Sequence, residues 1–364
     1  MGTTGRLFTG SVLPPERRAG ASLGAPLGAE WLAGAGGSTA RSAVTRHRTM
    51  RIGIVGYGTV ASIHARQLAS ESSVTRAVVI GPDLKRARRF ANAYGFADAA
   101  DKLEDALARV DAVIVCSPSA LHYEHACTSL RHGVATLVEL PPCENGEQAA
   151  ELGREAQDKR VLLRCAHTSR YLLPYVHLKE ALKTGQLGSI EQITYIRHHK
   201  PIERHWTDDA LIHHAAHPVD LLLDWFGEVV ALGCVISPKD GNPRSASILA
   251  RVEEAAGVTI GITYASHLPH GRLLVVGDRH AMETDGFSYV RSDNEALELS
   301  AEGQTVYERA IHDQDVEFIR ASRGKMGGVD WNETVRLMRM LDALRRLAVA
   351  AGKRERRKEE DSYG

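Results

Sequence analysis

Short apolar runs separated by helical stretches fill the first half of the chain after residue 50. Each run is rich in β-branched side chains, which is the pattern of a strand buried on both faces. The pattern predicts strands at 52–55, 77–80, 112–116, 136–139 and 161–165. Strands that alternate with helices at this spacing are typical of a doubly wound parallel sheet.

The second half has a different pattern, in which apolar and polar positions partly alternate. This alternation predicts strands at 190–197, 229–236, 247–253, 258–265 and 272–276. We expect an α/β domain with a large, mainly antiparallel open sheet, and its free face needs a cover of helices or a second subunit. A homo-oligomer, either dimer or tetramer, is expected to form through this sheet. Residues 330–350 form an amphipathic helix that should pack on the core.

The first 49 residues show no sustained period of 2 or 3.6, and only Glu16 and Glu30 are acidic. We expect a disordered or non-native extension there, with an organelle transit peptide as the alternative. The predicted domain plan has four parts: the extension (1–49), a dinucleotide-binding domain (50–170), a substrate and oligomerisation domain (171–350) and a charged flexible tail (351–364).

Composition narrows the possible functions. The 364 residues include 45 basic and 45 acidic side chains, so a net charge of zero gives no electrostatic reason to bind nucleic acid or a membrane surface. No apolar run approaches the roughly 20 residues of a membrane helix. Five cysteines without a Cys-x-x-Cys pair argue against a disulfide scaffold or a structural zinc site, and for a reducing cytoplasm.

A glycine-rich turn lies between the first predicted strand and the helix after it. It reads Gly56-Tyr57-Gly58-Thr59-Val60-Ala61, which is the G-x-G-x-x-A form of a dinucleotide-binding turn. Gly56 permits the tight turn, Gly58 lets a pyrophosphate approach the backbone, and Ala61 allows close helix–strand packing. The phosphates would meet the N–H groups at the helix N-terminus. We therefore expect a Rossmann domain that binds a dinucleotide, with a purely structural turn as the alternative.

The end of the second predicted strand bears on the choice of cofactor. NAD enzymes usually place an acid there for the ribose 2′-hydroxyl, but position 81 is Gly and Asp83 lies two residues further on. The basic residues that follow could hold a 2′-phosphate: Lys85, Arg86, Arg88 and Arg89. They favour NADP, with NAD possible, unless they are only the solvated face of a helix.

Several further motifs resemble the Gfo/Idh/MocA family of oxidoreductases. The resemblance runs from about Met50 to Leu347 and includes the glycine turn followed by His64, the Arg170 segment and the His217-x-x-Asp220 helix. It implies a Rossmann domain followed by an α/β domain whose open sheet covers the substrate. It also implies a set of residues around the cofactor: Ser117, Pro118, His122, Glu139 and Pro141.

Two departures from the family pattern narrow the chemistry. The family usually has Glu-Lys-Pro where this chain has Glu139-Leu140-Pro141, and it usually has Asp where this chain has His213. With both departures, the chain resembles one subgroup of the family, which acts in aromatic catabolism. That subgroup uses NADP to oxidise the cyclic hemiacetal of 4-carboxy-2-hydroxymuconate-6-semialdehyde to 2-pyrone-4,6-dicarboxylate.

A histidine-rich helix is the predicted catalytic element. Residues 213–225 are expected to be helical, so His213 and His217 share a face one turn apart and Asp220 lies near it. Oxidation of an alcohol needs a base for the hydroxyl proton, and histidine suits that task near neutral pH. His217 is the predicted base, with His213 as relay or oxygen ligand and Asp220 fixing the His217 tautomer. The alternative is a structural pair bonded to backbone carbonyls.

Four other residues are candidate substrate ligands. Arg170 could clamp a carboxylate bidentately or form a salt bridge instead. His167, Trp206 and His214 complete the set, although His167 fits a satisfied core histidine equally well. No metal is expected, because the helix lacks the Glu of a zinc-binding His-Glu-x-x-His motif and no third ligand follows at a familiar spacing.

The sequence thus predicts an NADP-dependent dehydrogenase that acts on a small carboxylated hemiacetal or hydroxy substrate. Two alternatives stay open. One is a sugar, inositol or imine reductase of the same family in secondary metabolism. The other is a non-catalytic NADP-binding sensor, which the missing lysine at position 140 and the missing aspartate at position 213 would favour.

Overall fold

The apolar runs of the first half pair into one six-stranded parallel sheet. The computed structural model describes residues 49–201, 209–238, 243–253, 256–293, 296–299, 304–325 and 327–362. Apart from residue 49, the expected N-terminal extension lies outside these ranges. The strands are β1 (Met50–Val55), β2 (Val74–Ile80), β3 (Asp98–Ala100), β4 (Ala112–Val115), β5 (Ala135–Glu139) and β6 (Leu163–Ala166). Their order is β3-β2-β1-β4-β5-β6, and all neighbours run parallel.

Helices cover both faces of this sheet, as its continuous apolar strands require. They are α1 (Thr59–Ser70), α2 (Leu84–Tyr94), α3 (Leu103–Leu107), α4 (His122–Arg131) and α5 (Gly146–Lys159). Ile54 packs in the core on one face, whereas Val55 packs in the core on the other. The strand order reverses between β1 and β4, which places a ligand-binding crevice at the carboxyl ends of these two strands.

The second half folds into an eight-stranded sheet. It begins with α6 (Leu173–Lys183) and contains β7 (Ile190–His198), β8 (Val229–Ser237), β9 (Ser245–Val252), β10 (Ala256–Thr263), β11 (His270–Gly277), β12 (Ala281–Thr284), β13 (Tyr289–Ser292) and β14 (Ala296–Glu298). The order is β14-β13-β12-β11-β7-β10-β9-β8. Only β7 and β10 pair in parallel among the described strands of this sheet, so the predicted fold class is confirmed.

The histidine segment folds as two elements rather than as one helix. Ala210–His214 is a π-helical turn, and the α-helix α7 (Ala216–Phe226) follows it. Asp209 caps the turn, since its Oδ1 accepts hydrogen bonds from the N–H groups of Leu211 and Ile212. The expected helix over 213–225 is therefore present from residue 216 onward.

Two long helices return from the second sheet to the first domain. α8 (Val306–Ser322) packs against α1, and α9 (Trp331–Ser362) packs against α5 and β8. A capping box between Thr305 and Glu308 starts α8. The predicted helix over 330–350 is present as α9, which continues to Ser362. None of the described helices is both long and apolar enough to cross a bilayer.

Candidate active site

The glycine turn lies where β1 ends and α1 begins. Gly56 has a φ of +111°, and a Cβ there would lie 2.5 Å from the carbonyl oxygen of Cys116, so this position needs glycine. A Cβ on Gly58 would meet nothing within 4 Å, and no described side chain caps the helix that starts there. The rest of the turn is Thr59 and Val60 in the first turn of α1, then buried Ala61. Open space beside free helix N–H groups fits a dinucleotide pyrophosphate.

The end of β2 carries an aromatic and a basic side chain rather than an acid. The ring of Tyr57 covers Gly81, where a Cβ would collide with it. The Arg86 guanidinium lies 4.7 Å from the centre of the same ring. Asp83 instead caps α2, because its Oδ1 accepts a hydrogen bond from the backbone N–H of Arg86 at 3.0 Å. A guanidinium and an aromatic face therefore stand where NAD enzymes usually hold a carboxylate.

The loop after β4 is held by a buried histidine. His122 Nδ1 lies 2.7 Å from the Pro141 carbonyl oxygen, and its Nε2 lies 2.7 Å from the Ser117 carbonyl oxygen. The pKa of His122 lies below the ordinary value, because burial lowers it by more than the two carbonyls raise it. Both ring nitrogens contact backbone carbonyls, so neither is left to hydrogen-bond a cofactor. It fixes the loop that contains Pro118 against the end of β5.

A buried ion cluster joins α1 to the end of β5 and to α8. His64 on α1 is fully buried, with Nδ1 2.8 Å from both carboxylate oxygens of Asp315 and Nε2 2.8 Å from Glu139 Oε1. Burial lowers the pKa of His64, but Asp315 and Cys116 together outweigh this effect, and the pKa lies well above the ordinary value. His64 is therefore a cation between two carboxylates, and it orients Glu139 at the carboxyl edge of the parallel sheet.

A cavity of about 780 Å³ lies beside this edge. The loop after β6, the end of β7, the π-helical turn, α7 and the start of α8 all contribute to its wall. Its polar lining includes Ser169, Tyr175, Tyr195, Arg197, His214 and His217. Among the described residues, no aspartate or glutamate lines it. Apolar side chains also form part of the described lining, and such a wall with a few converging polar groups suits a small-molecule ligand.

His217 links the cavity to the edge of the parallel sheet. Its Nδ1 lies 3.2 Å from Oγ of Ser169, which follows β6. Its Nε2 has no hydrogen-bond partner among the described residues, so this nitrogen is available to a molecule in the cavity. Burial lowers the pKa of His217, which keeps the ring neutral near pH 7 and able to accept a proton.

The π-helical turn changes which histidines meet. His213 was expected on the same face as His217, but its Nε2 lies 2.6 Å from Oγ of Ser119 in the loop after β4. His214 lines the cavity instead, with its ring centre 6.0 Å from that of His217. A π-turn holds more residues than an α-turn, so side chains before it are displaced around the axis relative to those after it. His213 therefore connects the two domains, and His214 takes the cavity position expected of His213.

Asp220 does not make the expected contact with His217. Its carboxylate accepts hydrogen bonds from Arg170, at 3.0 Å from Nε and 2.6 Å from Nη2, and lies 2.9 Å from His167 Nδ1. Burial raises the pKa of Asp220, but His167 and Arg170 together hold it well below the usual value. Asp220 is thus a structural anion, and Ser169 is the group in contact with the His217 ring.

The same cluster engages two expected substrate ligands. Arg170 also binds Asp224 and Glu333, so its guanidinium is shared among carboxylates of the protein and cannot clamp a substrate. His167 is 1% exposed, with its Nε2 2.9 Å from Oγ1 of Thr334, and it belongs to the core. Both residues take the structural alternative that the sequence left open.

Some residues of the site were not predicted from the sequence, and one predicted residue is not among those that the structure describes. Trp206 lies outside the described residues. Arg197 shares the alternation of β7 with buried Ile193 and Tyr195, and this signal places it on the covered face. Asp315 was missed because no helix was expected there, although the Thr305-x-x-Glu308 capping box announces one. The described residues contain no group of three or more ligand side chains placed to hold a metal ion.

A Rossmann sheet with an open glycine turn, next to a cavity that holds a neutral histidine, defines a nicotinamide-dependent oxidoreductase. The family model described as "Oxidoreductase family, NAD-binding Rossmann fold" matches residues 50–167. The model of the GFO/IDH/MocA C-terminal domain matches residues 175–283, and together the matches cover more than half of the chain. The chain belongs to the Gfo/Idh/MocA family, as its sequence motifs indicated.

Individual relatives act on different substrates. The chain is 29% identical over 288 residues to 4-carboxy-2-hydroxymuconate-6-semialdehyde dehydrogenase of Sphingobium sp. (strain NBRC 103272 / SYK-6), covering 75% of this chain and 90% of that protein. It is 26% identical over 192 residues to scyllo-inositol 2-dehydrogenase (NADP(+)) IolW of Bacillus subtilis (strain 168), covering 49% and 52%. The solved structure of GenD2 from gentamicin A biosynthesis, in complex with NAD, superposes with a TM-score of 0.73 at 19% identity, covering 83% and 95%.

Proposed function

We propose that this protein is an NADP-dependent dehydrogenase of a small carboxylated hemiacetal or hydroxy compound. The proposed type of substrate is the hemiacetal of 4-carboxy-2-hydroxymuconate-6-semialdehyde, an intermediate in the breakdown of aromatic compounds. The observation that carries the proposal is His217, a neutral imidazole at the carboxyl edge of the Rossmann sheet, which lines a cavity without an aspartate or glutamate among its described lining residues. The Sphingobium relative named for this activity supports the substrate class.

The proposed reaction assigns one task to each group. The nicotinamide, when bound through the Gly56–Ala61 turn, supplies the hydride acceptor. The substrate hydroxyl gives its proton to His217 Nε2 while the adjacent C–H bond breaks and its electron pair leaves as hydride, so the C–O bond becomes a carbonyl. Ser169 Oγ accepts the Nδ1–H of His217, which leaves the lone pair on Nε2. His217 is thus the catalytic residue, Ser169 its positioning residue, and Asp220 neither.

A hydride-transfer assay tests the proposal. Full-length protein is mixed with NADP or NAD and with a panel of carboxylated hemiacetals, uncharged sugars and inositols, and absorbance near 340 nm is followed. We expect turnover with the carboxylated hemiacetal, and His217→Asn should lower kcat by about 10²-fold or more while the cofactor still binds. Wild-type turnover in His217→Asn would refute its role as base. Bound cofactor without turnover across the whole panel would favour the sensor instead.

Cofactor preference follows from the end of β2. Asp83 is engaged as a helix cap, and Arg86 on the Tyr57 ring offers a guanidinium to a 2′-phosphate. This arrangement supports NADP over NAD. The same assay run with each cofactor measures the preference, and a higher kcat/KM with NAD would overturn it.

The reaction is proposed to take place in the cytoplasm. All five cysteines lie in the described part of the chain and are free thiols, as a reducing compartment favours.

Turnover of uncharged sugars or inositols at least equal to that of the carboxylated substrate would move the assignment to the sugar-oxidising relatives.

A further inference from the structure

Arg197 brings a positive charge into the cavity without a counter-ion. Its Nη1 donates a hydrogen bond to the Asp285 backbone carbonyl at 3.2 Å, and its guanidinium lies 4.4 Å from the centre of the Phe287 ring. Among the described residues it forms no ion pair, whereas Arg170 is shared by three carboxylates. A guanidinium carries five N–H donors, so most of those on Arg197 are left for a bound molecule.

The titratable groups around Arg197 do not balance its charge. Burial and the nearby charges of His217, His199 and Arg197 lower the pKa of His214 well below the ordinary value. Burial and Arg197 lower the pKa of His199 to about 4. With these rings neutral, Arg197 is the charged side chain among the described residues of the lining, since the nearby Asp285 carboxylate is held by the backbone N–H of Phe287 and by the Ser288 hydroxyl. A half-buried cation without a counter-ion favours an anionic occupant.

A glycine on the neighbouring strand leaves room for this guanidinium. Gly271 on β11 is the register partner of Arg197 on β7. A Cβ at position 271 would lie 2.6 Å from Nη1 of Arg197 and 3.2 Å from the Asp285 carbonyl oxygen. The side chain of Arg197 therefore keeps its position only while residue 271 has no side chain.

We propose that Arg197 binds a carboxylate of the substrate and so selects carboxylated over uncharged substrates. The planar fork of a guanidinium matches a carboxylate with two parallel hydrogen bonds, which gives both affinity and orientation. Stacking on Phe287 holds the fork in one plane, and His217 lines the same cavity, where it would meet the reacting end of the bound molecule. This assignment rests on the proposed function, because it takes the cavity to be the substrate site.

Calorimetric binding to full-length protein tests the assignment without turnover. The probes are isophthalate, a planar ring with two carboxylates, and isophthalamide, which has the same shape without charge. We expect the wild-type protein to bind isophthalate at least about tenfold more tightly than isophthalamide. Equal affinities, or no binding of isophthalate at millimolar concentration, would overturn the proposal.

Three variants locate the effect. Arg197→Met should weaken isophthalate binding about tenfold or more and leave the affinity for isophthalamide unchanged. Gly271→Ala keeps every charge but displaces the guanidinium, and it should weaken isophthalate binding several-fold. Arg131→Gln removes one positive charge from an exposed site on α4, and it should bind as the wild type does. Wild-type affinity for isophthalate in Arg197→Met would contradict the assignment; if that variant does not fold, the two probes and Gly271→Ala decide.

Failure of this assignment and failure of the proposed function give different results. Loss of isophthalate binding in Arg197→Met without hydride transfer from any substrate would keep the carboxylate site and remove the dehydrogenase proposal. Equal kcat/KM for a carboxylated hemiacetal in wild type and Arg197→Met would keep the dehydrogenase and remove Arg197 from substrate selection.

Discussion

Burial keeps His217 in the neutral form that a base requires. For His217, burial is the largest influence on the pKa and lowers it, the charge of Arg197 lowers it further, and Asp220 and Glu139 raise it without reversing the shift. A lowered pKa means that the ring is already neutral at a pH where an exposed histidine is still protonated. The neutral form, which the proposed base needs in order to accept a proton, therefore persists to lower pH.

The pH dependence of the reaction follows from this shift. We predict that the acid limb of kcat/KM has its midpoint below about 6.5, the ordinary value for histidine. Activity should then fall as the pH drops through that midpoint, because protonated His217 cannot accept a proton. Steady-state rates between pH 4.5 and 8 measure it, and the limb should be absent from the residual rate of His217→Asn. A midpoint above 7 would contradict a base in a desolvated site.

Residue spacing located the catalytic candidate but not its partners. His217 could be selected because an imidazole suits proton transfer and the helix could be read from its apolar face. The partner of its Nδ1 is Ser169, which comes from a different element 48 positions earlier. Asp220 lies near on the same helix yet faces Arg170 and His167. Periodicity fixes neighbours within one helix, whereas packing between elements decides which side chains meet.

At the scale of elements, the two glycines of the turn are expected to serve different purposes: Gly56 the stability of the fold and Gly58 the binding of the cofactor. Gly56 combines a positive φ with a close approach to the Cys116 carbonyl, so Gly56→Ala should lower the free energy of unfolding by about 1–3 kcal/mol. A Cβ at Gly58 fills only open space, so Gly58→Ala should change stability by no more than about 0.5 kcal/mol. We predict that it nevertheless weakens NADP binding about tenfold or more, because the methyl group would occupy the space proposed for the pyrophosphate.

Urea unfolding and cofactor titration of the two variants measure these effects. The variants serve as controls for one another, since each adds the same methyl group two residues apart. If Gly58→Ala bound NADP as tightly as wild type, the turn would not be the pyrophosphate site. If Gly56→Ala were as stable as wild type, the backbone there would have room that the structure does not show.

The two kinds of sheet differ in how far their sequences predicted them. Buried parallel strands show as unbroken apolar runs, and the five expected in the first sheet are all present. The short strands β3, β12, β13 and β14 were missed, because three or four residues give too few positions for a period to emerge. The π-helical turn before α7 was missed as well, since its residues fit an ordinary helix and only tertiary contacts, of His213 with Ser119 and of Asp209 with Arg345, distinguish it.

At the scale of the whole molecule, two edge-side strands of the second sheet leave large apolar side chains exposed to water. Leu232, Val235 and Leu249 on β8 and β9 are 52%, 63% and 49% exposed. Gly233 pairs with Leu249 across these strands and Val235 with Ser247, so Val235 and Leu249 lie on the same face. Water-exposed apolar side chains on a wide sheet favour association, and a second copy of this chain is the expected partner.

Charge on this face should therefore separate the subunits. We predict that the wild-type protein is a dimer or tetramer and that the double variant Val235→Lys, Leu249→Lys shifts it to the monomer. Light scattering coupled to gel filtration gives the mass of each species. Asn92→Lys on the exposed side of α2 adds a charge elsewhere and should leave the assembly unchanged. A monomeric wild type, or an unchanged mass for the double variant, would rule out association through this face.

The buried contact of His64 with Asp315 limits how this chain can be divided. His64 belongs to the helix that follows the glycine turn, whereas Asp315 arrives from α8, about 250 positions later in the sequence. A fragment cut after residue 170 would expose the His64 imidazole to water on the side that α8 now covers. His64 would also lose Asp315, the carboxylate that holds it in place beside Glu139. A protein that received the N-terminal domain alone would therefore need α8 as well. The domain is continuous in sequence, but its fold depends on a helix from near the end of the chain.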